Sequence, residues 1–277
     1  MARPTFGEVA PRLTISEVNQ NVKGGNPYLR PYIADQVDLA IGYYWDKVGM
    51  ISLGVFYKDI TDYIMKTTFE DIYPDPDSPT GDCLMVGGDV DENGCTLFLI
   101  TVPRNQDKAT LKGFEFIVAR DFDFLPGILA NTGISANYTY NDSDAETINP
   151  NTGEVLDSQL PLPGLSEDAY NVTLYYEDDR LDMRFSYNYR SDYLQTAFAG
   201  SNNTNYVNDY DQLDFSAGYQ ITDTIRLTFQ GVNLQNSKKW GYAGWLPWWP
   251  QSGDTTRTKY LNRDGTHYRI GLTASFD

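Results

Sequence analysis

The last stretch of the chain, residues 267–276 (HYRIGLTASF), constrains the fold more than any other. Apolar residues on one parity alternate there with small or polar ones, a period-2 pattern typical of a strand with two different faces. A terminal strand in a soluble protein usually lies at an exposed sheet edge, where charge, proline or a bulge blocks further pairing. This strand carries almost none of those features. A closed barrel explains their absence, because its last strand pairs with its first.

The same alternation recurs along the chain. Further strands are predicted at 33–45, 50–65, 111–122, 132–141, 169–176, 181–193, 212–221 and 225–234, and residues 2–13 are predicted to be the end of a strand running into a loop. Short turns alternate with long polar loops at about 66–110, 142–166, 194–209 and 235–266. The second face of 181–193 is too polar for a sandwich core and suits a wet lumen. These features predict an all-β fold, an antiparallel transmembrane β-barrel of about ten strands with external long loops.

Composition excludes several classes of protein. The formal net charge is -17 and the pI is near 4.3, which argues against general electrostatic binding of nucleic acid or of anionic membrane surfaces. The 21 Tyr and 13 Phe favour pleated, half-buried strands. No apolar run is long enough for a transmembrane helix. The N-terminus lacks a secretory signal, so the protein is expected to be either cytosolic or a piece of a longer chain.

Six segments, in order, carry a resemblance to a known family. They are ARPTFGEVAPR from Ala2, GNPYLRPYIADQVDLAIGYYW from Gly25, SLGVFYKDITDYI from Ser52, LKGFEFIVAR from Leu111, GVNLQNSKK from Gly231, and the closing strand. Together they resemble the C-terminal half of the barrel of TonB-dependent outer-membrane receptors. The resemblance implies that residues 1–277 are the C-terminal part of a 22-stranded barrel whose plug domain and N-terminal strands are absent here.

The resemblance also implies a function. The expected location is the outer membrane of a Gram-negative bacterium, with lipid around the barrel. A small-molecule nutrient, either a carbohydrate or a metal chelate, would be captured at the external loops and imported when the TonB complex acts through the missing plug. No nucleic-acid partner is expected. Two alternatives remain, a secreted soluble β-sandwich that binds carbohydrate and a passive porin, and a plug domain encoded directly upstream would exclude the porin.

Two features of the 66–110 loop suggest local chemistry. Cys83 and Cys95 are expected to form a disulfide, because an isolated pair facing an oxidising exterior is most simply bridged, and the only His is too distant to favour zinc. Asp89, Asp91 and Asn93 are candidate calcium ligands, since oxygen ligands at alternate positions followed by glycine open a calcium loop. The bidentate glutamate that would complete such a loop is missing. A solvated acidic loop is therefore the alternative, and no other cofactor is expected.

The last loop concentrates aromatic residues. The candidate ligand-binding residues there are Trp240, Tyr242, Trp245, Trp248 and Trp249. Large rings in an external loop are unfavourable in water unless they pack together or meet a ligand, and their flat faces suit sugar rings or aromatic chelates. They favour a carbohydrate over a siderophore here. The alternative is a structural cluster that folds the loop or forms an interfacial girdle.

Catalysis finds no support in the sequence. Neither a G-x-S-x-G elbow nor an H-E-x-x-H motif occurs, and one His cannot serve most zinc or triad chemistries. Two acids of the polar face, Glu115 and Asp214, are expected to form charge networks with Arg184 and Arg190. We therefore expect a receptor rather than an enzyme.

Overall fold

The chain is built almost entirely from strands. The computed structural model describes residues 2–45, 49–74, 82–86, 88–148, 155–196, 204–244 and 256–275. One short helix, α1, covers Phe6–Val9, and one 3-10 turn covers Gly127–Asn131. The strands are β1 Leu13–Ser16, β2 Asn21–Gly24, β3 Ile33–Trp45, β4 Gly49–Thr61, β5 Ile64–Ile72, β6 Leu97–Asn105, β7 Lys108–Asp121, β8 Thr132–Ile148, β9 Val155–Leu160, β10 Asp168–Glu177, β11 Leu181–Arg190, β12 Tyr193–Thr196, β13 Thr204–Val207, β14 Tyr210–Thr222, β15 Ile225–Val232, β16 Lys239–Gly244, β17 Thr256–Asn262 and β18 His267–Ala274.

The main sheet contains ten strands and is the wall of a barrel. Its order is β18-β15-β14-β11-β10-β8-β7-β4-β3, with β9 paired to β8 off this path. Successive long strands are antiparallel neighbours, which is the up-and-down order of a barrel. The described strands leave the wall open at β3 and β18. This confirms the predicted all-β, antiparallel and partial barrel.

The two faces of this wall differ in chemistry. Directly paired residues of neighbouring strands share a face. One row on the first face contains Phe116, Tyr138, Tyr170 and Tyr189. One row on the opposite face contains Asn137, Asn171, Asn188 and Gln212. We call these the apolar face and the polar face.

The apolar face matches the hydrocarbon of a membrane. In this chain, Leu39 on one edge strand is 69% exposed and Ile270 on the other is 74% exposed. Apolar side chains spread over a whole wall are unfavourable in water but suit lipid. The ten residues of β11 also match the 9–11 that a tilted strand needs to cross a bilayer. The polar face is therefore the inner, water-facing side of the wall.

The prediction of a strand end in residues 2–13 is wrong over most of its length. After a single bridge from Ala2 to Tyr32, the chain forms α1. Thr5 and Glu8 supply the reason, because the Thr5 backbone N–H donates to the Glu8 carboxylate at 2.7 Å, as in a capping box. Within the described ranges, no helix is long and apolar enough to cross a membrane.

The prediction of one strand over 50–65 is also wrong, because the chain bends at Asp62, whose φ is +57°. Asn105 fixes this bend. Its side-chain amide donates to the carbonyls of Asp62 at 2.7 Å and Arg30 at 2.9 Å, and its side-chain oxygen accepts from the Arg30 N–H. Beyond the bend, β5 and β6 join the hairpin β1–β2 in a four-stranded sheet with the order β1-β2-β6-β5.

The other long connections are also partly ordered. The stretches at 194–209 and 235–266 contribute strands to a third sheet with the order β12-β13-β16-β17. Strands β1 and β2 precede the wall, and the other strands of the outer sheets lie in the long connections. These connections all leave the wall at the end where β3 begins, because the wall strands are antiparallel. We call this end the mouth.

A hydrophobic core packs against the inner face of the wall at the mouth. It contains Tyr63, Met65, Ala109, Ala145, Leu160 and Leu194. Ala109 and Ala145 belong to the inner face of the wall, and each is only 1% exposed. Leu160 and Leu194 come from two long connections, so these connections fold inward over the wall. This packing creates the recesses described next.

Candidate ligand site at the mouth

A short segment crosses the inner face of the wall at the mouth. This bridging segment, residues 162–166 (LPGLS), turns at Gly164, whose φ is +84°. It is held from both sides, because the Leu162 N–H donates to Ser143 Oγ at 3.0 Å and the Gly164 N–H donates to the Leu194 carbonyl at 2.7 Å. A positive φ at Gly164 has no steric penalty, since glycine lacks a Cβ.

Arg190 lies beside the bridging segment at the end of β11. Its Nε donates to Ser166 Oγ at 3.0 Å, and a terminal nitrogen donates to the Gly164 carbonyl at 3.2 Å. The guanidinium carbon lies 4.0 Å from the ring centre of Tyr193. These partners fix the side chain but carry no negative charge.

The predicted charge network on the polar face does not form. None of the described carboxylates pairs with Arg190. Arg184 pairs instead with Glu177 at 4.0 Å, and Asp214 accepts hydrogen bonds from Gln212 and from the Asn233 backbone. Among the described residues, Arg190 therefore has no ion-pair partner within 4.0 Å, although the formal net charge of the chain is -17.

Two recesses adjoin the bridging segment. The polar recess, about 390 Å³, is lined by residues that include Asn141, Asn171, Asn188, Arg190 and Tyr210. The apolar recess, about 470 Å³, is lined by residues that include Tyr32, Ile60, Tyr63, Leu111, Leu162 and Pro163. Gly164 and Leu165 line both. Each volume lies within the range of about 300–1,000 Å³ that is typical of small-molecule sites.

The sequence alone does not predict this site. The Pro-Leu-Pro-Gly-Leu stretch at 161–165 lies within the predicted polar loop 142–166, and its apolar and turn-forming residues are the available signal. The sequence predicts an acidic partner for Arg190. Its actual partners, Ser166 and Gly164, become neighbours only when the connection folds inward.

The aromatic residues predicted to bind ligand are divided between two parts of the chain. Tyr242 in β16 stacks on Tyr206, with ring centres 5.4 Å apart and planes inclined by 13°, and Trp240 lies 5.4 Å from Tyr242. The Tyr242 hydroxyl donates to Asp192 at 3.0 Å, and burial together with this hydrogen bond raises the pKa of Tyr242 to about 12. Trp245, Trp248 and Trp249 lie outside the described residues, so ligand binding by this group stays a prediction.

A disulfide and several hydrogen bonds stabilise the acidic ring in the first long loop. Cys83 and Cys95 form a disulfide whose Cα atoms are 5.5 Å apart. Inside the ring, Asp91 accepts hydrogen bonds from the backbone N–H groups of Asn93 at 2.9 Å and Cys95 at 2.8 Å. The hydrogen bond from Cys95, and then those from Asn93 and Gly94, lower the pKa of Asp91 below its usual value.

The calcium prediction is not tested by this geometry. Among the residues that the structure describes, no group of three or more His, Cys, Asp or Glu side chains could hold a metal ion. Asp89 contributes its backbone carbonyl to the Leu97 N–H at 2.9 Å, and Asp91 is engaged as above. Calcium binding by Asp89, Asp91 and Asn93 stays a prediction.

Solved structures with a similar fold include three receptors. The siderophore receptor PirA from Acinetobacter baumannii is 19% identical with a TM-score of 0.55, over 92% of this chain and 33% of that one. The ferric enterobactin receptor PfeA from Pseudomonas aeruginosa, in a variant bound to enterobactin, is 17% identical with a TM-score of 0.60, over 99% and 37%. The ferric-catecholate import receptor Fiu from Escherichia coli K12 is 14% identical with a TM-score of 0.51, over 88% and 28%.

These likenesses establish the fold, and the chain spans only about a third of the length of those receptors. No curated protein sequence matches the chain. The family description "TonB dependent receptor-like, beta-barrel" matches residues 1–234. That match covers most of the chain and agrees with the antiparallel barrel wall described above. The chain belongs to the TonB-dependent receptor β-barrel family.

Proposed function

We propose that this chain is the C-terminal wall of an outer-membrane receptor that imports a ferric chelate with energy from the TonB complex. The observation that carries the proposal is the family match to a wall with one lipid-compatible face and one polar face. A plug domain outside this chain would couple the receptor to TonB. The location in the outer membrane of a Gram-negative bacterium follows from the same family membership.

The preference for a ferric chelate over a carbohydrate rests on two observations. The three receptors named above are described as siderophore, ferric enterobactin and ferric-catecholate receptors. The polar recess at the mouth also presents a guanidinium that has no ion pair with a described carboxylate, which suits an anionic iron complex better than a neutral sugar. The sequence-based preference for a carbohydrate depends on all five aromatic residues of the last loop, of which Trp245, Trp248 and Trp249 lie outside the described residues.

Iron uptake tests this proposal. The intact receptor that contains this chain would be produced in cells lacking their own ferric-chelate receptors, in parallel strains with and without a functional TonB. Accumulation of ⁵⁵Fe from ferric enterobactin or a citrate-based ferric chelate should require both the receptor and TonB. Uptake that persists without TonB would favour a passive porin, and a receptor that is soluble without detergent would favour the β-sandwich.

A further inference from the structure

The two recesses at the mouth share a wall but differ in the side chains that line them, with amides and a guanidinium in one and aliphatic and aromatic groups in the other. Gly164 and Leu165 line both, so one molecule can occupy them together across the bridging segment. Separate ligands would not require this adjacency. We propose that the ligand of this receptor is an anionic amphiphile, a ferric chelate whose charged, oxygen-rich part binds the polar recess and whose acyl or aryl part binds the apolar recess.

The polar recess supplies hydrogen-bond donors for an anion. Arg190 has five N–H donors, and the Ser166 and Gly164 bonds engage two of its nitrogens. Because these partners are neutral, they orient the guanidinium without reducing its attraction for an anionic oxygen. Asn188 adds a side-chain amide on the same strand face, two residues away. The set is suited to carboxylate or catecholate oxygens.

The apolar recess is lined by apolar side chains of the inner face and of the bridging segment. Ile60 and Leu111 lie on the inner side of β4 and β7, in line with polar residues such as Lys58 and Glu115 further along those strands. Leu162 and Pro163 add apolar atoms from the bridging segment. Tyr63 and Met65 pack behind them in the buried core, where the Tyr63 hydroxyl lies 2.9 Å from the Met65 sulfur. A hydrocarbon placed here would lose water on several sides.

The adjacency of the two recesses selects the occupant. A chelate without an apolar group would leave the recess of about 470 Å³ facing water at the mouth. An apolar molecule without an anion would leave Arg190 without an ionic partner among the described residues. Only a molecule with an anionic part and an apolar part can fill both recesses with matching groups. This inference rests on the proposed import of a ferric chelate.

A matched pair of probes tests the inference. The probes are two ferric citrate-dihydroxamate complexes that are identical except for N-acetyl or N-octanoyl groups. Their binding to the intact detergent-purified receptor and their TonB-dependent uptake would be measured. The octanoyl complex should bind at least tenfold more tightly, since burying two methylenes is already worth about that factor.

Substitutions separate the two halves of the site. Leu111→Ser should remove most of the octanoyl advantage and weaken binding of the acetyl complex by much less. Leu162→Ser should do the same if Leu111→Ser fails to fold. Leu99→Ser, on the outer sheet away from the recess, is the matched control. Arg190→Gln should weaken both complexes by about tenfold to a hundredfold, the range for a lost charged hydrogen bond. Arg184→Gln on the same face of β11 is its control.

The outcomes distinguish this inference from the proposed function. If neither these complexes nor ferric enterobactin is taken up, the proposed function itself fails. If the acetyl and octanoyl complexes bind equally to the unmodified receptor, import of a ferric chelate stands and the amphiphile inference is overturned. The amphiphile inference would also be overturned if Leu111→Ser and Leu162→Ser left the octanoyl advantage unchanged. The same holds if these variants lowered thermal stability without changing the preference for the octanoyl complex, because the recess would then hold protein instead of ligand.

Discussion

Asn233 is expected to control the order of the last long connection. It is 3% exposed and has a φ of +55° at the end of β15, in the segment GVNLQNSKK. Its side-chain oxygen accepts from the Ser237 N–H at 2.8 Å, and its amide donates to the Gly265 carbonyl at 3.1 Å. It thereby ties together the two ends of the connection that carries β16 and β17.

The expected magnitude follows from these contacts. Asn233→Ala removes two part-buried hydrogen bonds, each worth about 1 kcal/mol. It also places alanine in a left-handed conformation, which costs about 1 kcal/mol more. The local free energy of opening should therefore fall by about 3 kcal/mol, equivalent to roughly a hundredfold faster amide exchange.

Hydrogen exchange of the detergent-purified receptor, read by mass spectrometry, measures this effect. Protection should fall in β16 and β17 while β10 and β11 exchange as before. Asn233→Gly keeps the conformation accessible and should be milder by about 1 kcal/mol. Asn236→Gly is the control, because Asn236 also has a positive φ, of +54°, but its side chain makes one exposed hydrogen bond, to Arg263. Unchanged exchange in β16 and β17 after Asn233→Ala would refute the reasoning.

Three further predictions concern the outer sheets. Serine in place of both Cys83 and Cys95 should lower the stability of the acidic ring by about 3 kcal/mol, seen as faster exchange between them; equal exchange in both forms would contradict this. The pKa of Tyr242 is raised from 10.0 to about 12 in the folded protein, so its contribution to stability is present below pH 10 and is lost as the pH rises to about 12. Loss of the third sheet should therefore follow tyrosinate absorbance as the pH rises. This loss should be absent in Tyr242→Phe. If the acidic loop binds calcium, calorimetry on the intact receptor should show heat that Asp91→Asn abolishes, and no heat would remove the hypothesis.

The wall could be predicted from the sequence because its determinants are local. Strand β3 has the predicted bounds, and β10 and β11 begin and end within three residues of them, since apolar and polar residues alternate without interruption. A lipid-facing strand must keep this alternation over its whole length. Several segments that carry the resemblance to TonB-dependent receptors also lie in the wall, such as SLGVFYKDITDYI, LKGFEFIVAR and the closing strand.

The mouth could not be predicted because its determinants are tertiary. Strands such as β12 and β13 have only four residues each, too few for a periodic signal. The bend at Asp62 depends on hydrogen bonds from Asn105, which lies more than forty residues away along the chain. An exception is α1, whose Thr5 and Glu8 have the spacing of a capping box and so give a local signal for a helix. The ligand recesses arise where such long-range contacts meet.

The assignment of the two wall faces is the basis of both the proposed import and the ligand recesses. Single spin labels at successive positions 183–188 of β11, in the intact receptor reconstituted in lipid, test it directly. Oxygen accessibility should oscillate with a period of two residues, high at Met183, Phe185 and Tyr187 in lipid and low at the intervening inner positions. Uniform accessibility, or an oscillation of opposite phase, would contradict a membrane-spanning wall with a polar lumen.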